Sequence, residues 1–285
     1  GLAYELIAAA QSSYLLGDSI TQFSTVIGVY LFAMGVGSWL SKYITRDLPA
    51  RFIEIEIMVG VIGGFSASGL FLALFLTVHL LLVASILIGE PTFFRVVKSL
   101  ELNFDGVHGY PWVVSLIGLG IGGLIALHAL IALRKFPQNW RQWQRLGVQL
   151  NTQVHRDTRL WVWQVLTGFA IFFFVPLHLW TMVLQPEAID PWQSGARVRD
   201  FGMIWVYLPL LLMADLHAMI GVYRLAIKWG GISPARRQSL QRLKTGLSVL
   251  FISLGLLSLL ALWRVAPPDS PEARQQHANI VTEMQ

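Results

Sequence analysis

The chain of 285 residues contains no cysteine. That excludes disulfides, thiolate-ligated zinc, cysteine-bound iron–sulfur clusters and covalent haem attachment through CxxCH, so any metal or haem must be held by histidine or carboxylate. Charge is the second scarcity. Only 13% of the residues are charged while 55% are hydrophobic, whereas soluble globular domains carry about a quarter charged residues. A soluble domain is thereby excluded, and several uncharged runs reach the roughly 20 residues that cross a bilayer. Acids are scarcer than bases, 16 against 21, for a net charge of +5. The bases lie between apolar runs, which is the pattern of a topology signal and not of nucleic-acid binding. No signal peptide stands out, and a chain that opens on Gly1 instead of Met reads as trimmed or as a fragment.

Apolar segments recur at about 23–41, 57–88, 112–133, 160–184, 203–223 and 245–263, which predicts six spans or seven. Residues 4–16 are too short and polar to span, and suit a re-entrant or amphipathic segment. The 134–159 connection carries Arg134, Lys135, Arg141, Arg145, Arg156 and Arg159 against Asp157 alone; 224–244 carries six bases and no acid. Connections 89–111 and 185–202 mix both signs. The positive-inside rule puts the first two in the cytoplasm and the second two outside. From Ile57 to Gly89 there is no charge. A continuous helix there would be roughly 48 Å long against a core of about 30 Å, so a break or interfacial crossing is expected near Ser66, in "GGFSASG". The polar, Pro-bearing tail "APPDSPEARQQHANIVTEMQ" is expected to be poorly ordered.

Seven histidines are present, and four interrupt apolar runs on four different predicted helices: His79, His128, His178 and His217. His128 lies six residues before Arg134 and His217 seven before Arg224, while His178 lies seven before Gln185 and His79 eleven before Glu90. The topology therefore puts two imidazoles toward the inner face and two toward the outer one. A single intramembrane histidine is usually a packed, hydrogen-bonding core residue. Four of them, one per helix and paired by depth, fit two b-type haems, each needing two axial imidazoles inside a helical bundle. Gly118, Gly120, Gly122, Gly123 and Gly168 lie nearby. They suit either a flat porphyrin or helix packing through GxxxG spacing.

The segments "ASGLFLALFLTVHLLLVASILIG", "LHALIALRKFPQNWRQW", "DTRLWVWQVLTGFAIFFFVPLHLW" and "DLHAMIGVYRLAIKWG" resemble the four histidine-bearing helices of the dihaem cytochrome b anchor of quinol:fumarate reductases and succinate:quinone oxidoreductases. The resemblance runs from about Ser66 to Trp263. It implies an all-α transmembrane bundle, with a five-helix core over 67–264 and one or two extra N-terminal helices within 1–66, followed by a polar tail at 265–285. It also implies two non-covalent b haems. His79 and His178 would ligate the distal, outer iron, and His128 and His217 the proximal, inner one. In "KSLELNF" it implies that Glu101 accepts protons from menaquinol, and in "DTRLWVW" and "YRLAIKWG" that Trp161 and Lys228 contact haem propionates, with Ser66 and Arg197 as further contacts.

Two residues before the fourth histidine the best-known members carry a glutamate proposed to move protons; here it is Asp215, one methylene shorter. The implied partners are an iron–sulfur subunit and an FAD-containing flavoprotein on the cytoplasmic face, quinone, the lipid bilayer and a possible dimer of the whole complex, in a bacterial cytoplasmic (inner) membrane. Nucleic acid is not among them. Residues 1–66, with "SYLLGDSITQFSTVIGVYLFAMGVGSWLSKYI" and "RFIEIEIMVGVIGGFSA", resemble instead the membrane region of spermidine-synthase-like proteins, without their soluble catalytic domain. The alternative reading is a proton- or metal-translocating protein that uses the intramembrane histidines and Asp215. A purely structural anchor is a third. His108, His155 and His277 have no assigned role.

Overall fold

The computed structural model describes residues 35–36, 39, 48–104, 108–133, 139–152, 156–230 and 232–285. The chain divides into two units, Gly1–Val61 and Ile62–Gln285; the apolar run at 23–41 lies almost wholly outside the described residues. Among those described there are helices and no strand: α1 Leu48–Ala84, α2 Glu90–Leu100, α3 Trp112–Leu133, α4 Trp140–Thr152, α5 Arg156–Leu184, α6 Pro191–Arg199, α7 Ile204–Trp229, α8 Pro234–Arg264 and α9 Pro271–Met284. The membrane class read from composition and the all-α bundle implied by the resemblance are the observed ones. Five helical stretches among the described residues are long and apolar enough to cross a membrane: Gly63–Leu87, Trp112–Leu133, Asp157–Leu184, Ile204–Trp229 and Arg236–Arg264.

The spans bury little of their own surface. No side chain of α3 is buried, and Leu74, Val78, Leu119, Leu127, Phe172 and Phe173 all stand exposed. A water-soluble protein does not leave apolar surface of this extent uncovered; lipid is the solvent that suits it, and in lipid each helix satisfies its own backbone. Helices then associate through small residues and side-chain hydrogen bonds. A Cβ on Gly118 would lie 3.0 Å from Val183, and one on Gly122 3.2 Å from Leu179, while Ser115 Oγ donates to the Val183 carbonyl at 2.8 Å. Gly118 and Gly122 thus serve the contact of α3 with α5, the packing alternative. Gly255 does the same for α8 on α7, where a Cβ would meet Leu211 at 2.5 Å.

Two expectations are corrected. Of the break and the interfacial crossing expected near Ser66, the break does not occur: α1 runs without interruption through Gly63–Gly69. A helical glycine costs about 1 kcal/mol relative to alanine, and the serine hydroxyls fold back onto the helix, as Ser68 Oγ does to the Phe65 carbonyl. The tail at 265–285 is likewise not disordered. Ser270 caps α9 by accepting from the Ala273 amide at 3.1 Å, with Pro271 at the first helical position, a start signal that outweighs the polar composition.

At the end of the bundle where α1, α3, α5 and α8 exchange with short helices, a buried core forms from Ile86, Phe93, Phe94, Val97, Ile189, Trp192, Val198, Leu262, Val265, Ala273 and Ile280. α2, α6 and α9 lie over it as a cap. Arg199 donates to the Val265 carbonyl at 2.8 Å, and a Cβ on Gly195 would come within 2.8 Å of the Leu262 carbonyl, so α6 and the end of α8 touch backbone to backbone. The opposite, basic end joins α5, α7 and α8 by polar contacts: Tyr223 donates to Asp157 at 3.1 Å and Gln241 to Tyr223 at 2.8 Å.

Candidate functional site

The four intramembrane histidines come together as two pairs. His79 on α1 faces His178 on α5 with ring centroids 5.9 Å apart, and His128 on α3 faces His217 on α7 at 6.4 Å. The first pair lies toward the capped end, the second toward the basic end. All four rings are half-buried.

At the basic-end pair the imidazole edges are fixed. His217 Nδ1 donates to the Gln164 carbonyl at 2.8 Å, and a Cβ on Gly168 would stand 2.7 Å from His217 Cε1. Gly168 is therefore absent a side chain to admit this ring. Gln164 also accepts from Arg224 Nη1 at 2.5 Å. His128 Nδ1 meets Ser68 Oγ at 2.9 Å, Phe65 stacks on its face at 4.6 Å, and Gly69 leaves the room a Cβ would take, 3.2 Å from His128 Cε1. At the capped-end pair the contacts are aromatic. Phe75 stacks on His79 at 5.6 Å, and Tyr207 packs edge-on to His178 at 5.4 Å. His178 Nδ1 is buried without a hydrogen-bond partner.

These residues fit a haem. Among the described residues no three His, Cys, Asp or Glu side chains converge on one point, so a bare ion lacks ligands, whereas a metal that brings four of its own needs only a facing pair. Metal–imidazole bonds are about 2 Å long, which puts two imidazoles on opposite sides of one metal with centroids roughly 6 Å apart. An imidazole whose Nδ1 edge is held by a protein oxygen has Nε2 left as the nitrogen that can ligate a metal. A buried Arg197 Nη1 without an acceptor suits an anionic group such as a propionate.

The remaining expected residues are distributed as follows. Glu101, only 2% exposed, ends α2 and pairs with Lys98 Nζ at 2.7 Å. It is turned inward because α2 closes in a Schellman turn: the Leu102 amide bonds the Ser99 carbonyl and the Asn103 amide that of Lys98, with Leu102 left-handed at φ 58°. Arg197 on α6 is buried and donates to the Ala188 carbonyl. Burial lowers its guanidinium below the usual arginine value, while Tyr207 and Asp190 pull it back up. Ser66 accepts from Trp229 Nε1 at 3.3 Å, and Lys228 Nζ lies 4.9 Å over the Trp229 ring, so Ser66 and Lys228 share one indole. Trp161 is half-buried at the start of α5.

Asp215 is fully buried and accepts from Ser248 on α8, two residues and thus half a helical turn away from the face that carries His217. Ser68, Gln164 and Trp229 escaped the sequence reading, since a serine, a backbone carbonyl and an interfacial tryptophan carry no signal of their own. His277 packs edge-on against Phe94 and Trp192 at 5.3 and 5.5 Å. His155 lies outside the described residues.

A helical membrane bundle that carries two facing pairs of histidines has the architecture of a membrane cytochrome. The comparisons with known proteins give the particular family. A profile described as succinate dehydrogenase/fumarate reductase transmembrane subunit matches residues 144–260. The chain is 43% identical over 191 residues to a fumarate reductase cytochrome b subunit of Helicobacter pylori, covering 67% of this chain and 75% of that protein. It is 42% identical over 197 residues to the one of Wolinella succinogenes, covering 68% and 77%. The chain belongs to the fumarate reductase cytochrome b subunit family. Its N-terminal part is similar to a different protein, the polyamine aminopropyltransferase 2 of Ralstonia nicotianae, 66% identical over 73 residues that make up 25% of this chain and 14% of that protein.

Proposed function

We propose that this chain is the membrane anchor of a quinol:fumarate reductase or succinate:quinone oxidoreductase, and that it holds two b haems. His79 and His178 would ligate the outer one, His128 and His217 the inner one. The observation that carries this reading is the pair of ring separations, 5.9 and 6.4 Å, on four different helices. When bound, the two haems supply one-electron carriers at two depths of the bilayer.

The chain's own residues supply the rest. Oxidation of menaquinol releases two electrons and two protons, and Glu101 is the proton acceptor on the outer side, held by Lys98 in a buried ion pair. Arg197, Trp161, Lys228 and Ser66 bind propionates, the first from the cap and the others from the basic end. The burial of Asp215 on the α8 side of α7 supports a proton route apart from the histidines. The basic connections between α3 and α5 and between α7 and α8 face the cytoplasm, where they dock an iron–sulfur subunit and, beyond it, the flavoprotein that reduces fumarate or oxidises succinate. Residues 67–264 are the electron-transfer domain and 1–66 an appended membrane segment.

A reduced-minus-oxidised visible spectrum with haem quantitation on the purified chain tests the reading. Two b haems per polypeptide are expected; a folded but colourless chain would refute it.

A further inference from the structure

The basic-end pair shows how its imidazoles are oriented, and one contact does so through a side chain that can be changed. Ser68 is 8% exposed, and its hydroxyl donates to the Phe65 carbonyl at 3.0 Å, one turn back along α1. A hydroxyl has a single hydrogen. With that hydrogen given to Phe65, the oxygen 2.9 Å from His128 Nδ1 can only accept. His128 must then be protonated on Nδ1, which leaves the lone pair on Nε2. The ring is also confined from two sides: Phe65 lies nearly parallel on its face, at 4.6 Å and 12°, and the bare Cα of Gly69 lets its edge approach α1. His217 reaches the same protonation by another means, donating Nδ1–H to the Gln164 carbonyl. That carbonyl is backbone and is indifferent to substitution. Ser68 is the removable element of the pair.

We propose that Ser68 is the positioning residue of the inner haem ligand: its hydroxyl, polarised by the Phe65 carbonyl, accepts from His128 Nδ1–H and so fixes both the protonation and the rotation of the imidazole that presents Nε2 to iron. This rests on the haem reading above and adds to it a residue outside the ligand set. A carbonyl-to-hydroxyl-to-imidazole chain also makes the ring a stronger donor, which favours the oxidised metal.

The test compares Ser68→Ala and Ser68→Thr with the unaltered chain in the purified complex, reading haem bound per polypeptide and the midpoint potential of each centre in a redox titration. Ser68→Ala is expected to weaken haem retention at the inner pair by about 10-fold, the lower end of what loss of an outer-sphere hydrogen bond costs at a metal site. It should also move the inner centre to a more positive potential and leave the outer centre where it was. Ser68→Thr keeps a hydroxyl that bonds the same carbonyl and is expected to restore both readings. Unchanged retention and potential in Ser68→Ala would overturn the proposal, as would equal shifts at both centres. So would a threonine variant that behaves like alanine, since a packing role and not the hydroxyl would then be responsible. Should Ser68→Ala fail to assemble, Ser68→Cys, of similar size but a weak acceptor, is read by the same criteria. An unaltered chain without haem would instead overturn the function itself.

Discussion

The two ends of the bundle hold their histidines by different means. At the basic end the imidazoles are tied to protein oxygens, His128 to Ser68 and His217 to Gln164, and among the described residues no buried apolar core forms around them. At the capped end a core of interlocked side chains closes over the spans, the neighbours of His79 and His178 are aromatic rings, and His178 Nδ1 has no oxygen to bond. Directional hydrogen bonds orient a ring without needing close packing, whereas aromatic contacts orient it only if the surroundings are rigid. The cap is thus what lets the capped-end pair do without hydrogen bonds.

The sharpest break of this comparison is to delete one ligand. His178→Ala is expected to remove the outer haem and about half of the haem absorbance while the inner signal persists, since the two pairs share no side chain; retention of both would end the pairing. Next in size, Glu101→Gln keeps the shape of the cap and both haems but removes the buried acceptor. Quinol oxidation should fall by at least about 100-fold, in line with the loss of a general base, and unimpaired turnover would exclude the role.

A third experiment acts on the cap's rigidity. Ile280→Ala empties a side chain that is 2% exposed and is expected to cost about 2–5 kcal/mol of local stability. Limited proteolysis should then cut within 271–284 faster, and the spectrum of the outer haem should broaden before that of the inner one. The smallest effect concerns Asp190, the cap of α6, which accepts from the Gln193 amide at 2.7 Å. Burial raises its carboxyl above the ordinary aspartate value of 3.8, against the pull of that amide, Lys98 and Arg197. A carboxyl raised on folding disfavours the folded state once ionised, so cap stability is fullest below 3.8 and declines as pH climbs through the raised value. Asp190→Asn keeps the cap hydrogen bond and should flatten this decline in a pH series of thermal melts.

The positions of the histidines were legible because a polar ring in an apolar run has few explanations, and basic connections on one side allow depth to be counted in residues. Their partners were not legible. Whether Ser66 or Ser68 faces His128 depends on the rotation of α1 about its axis, and a difference of two residues is half a turn. The neighbour of Gly168 is hidden for a related reason: from sequence a glycine only shows that something comes close, and here the His217 ring does. The order of the tail is hidden by its composition: Ser270 and Pro271 form a helix start, but polar residues outnumber the two, Ala273 and Ile280, that reach the core.

The cap core also bears on how the protein assembles. Its members, Ile86, Trp192, Leu262 and Ile280, are drawn from stretches nearly two hundred residues apart in the chain, and loop closure of that extent comes late. Until the segment bearing Ile280 reaches the same side of the membrane as Phe94, these apolar faces stay uncovered. Insertion of the spans and closure of the cap are therefore separate events, and a chain arrested between them displays a sticky surface that chaperones or proteases on that side can recognise.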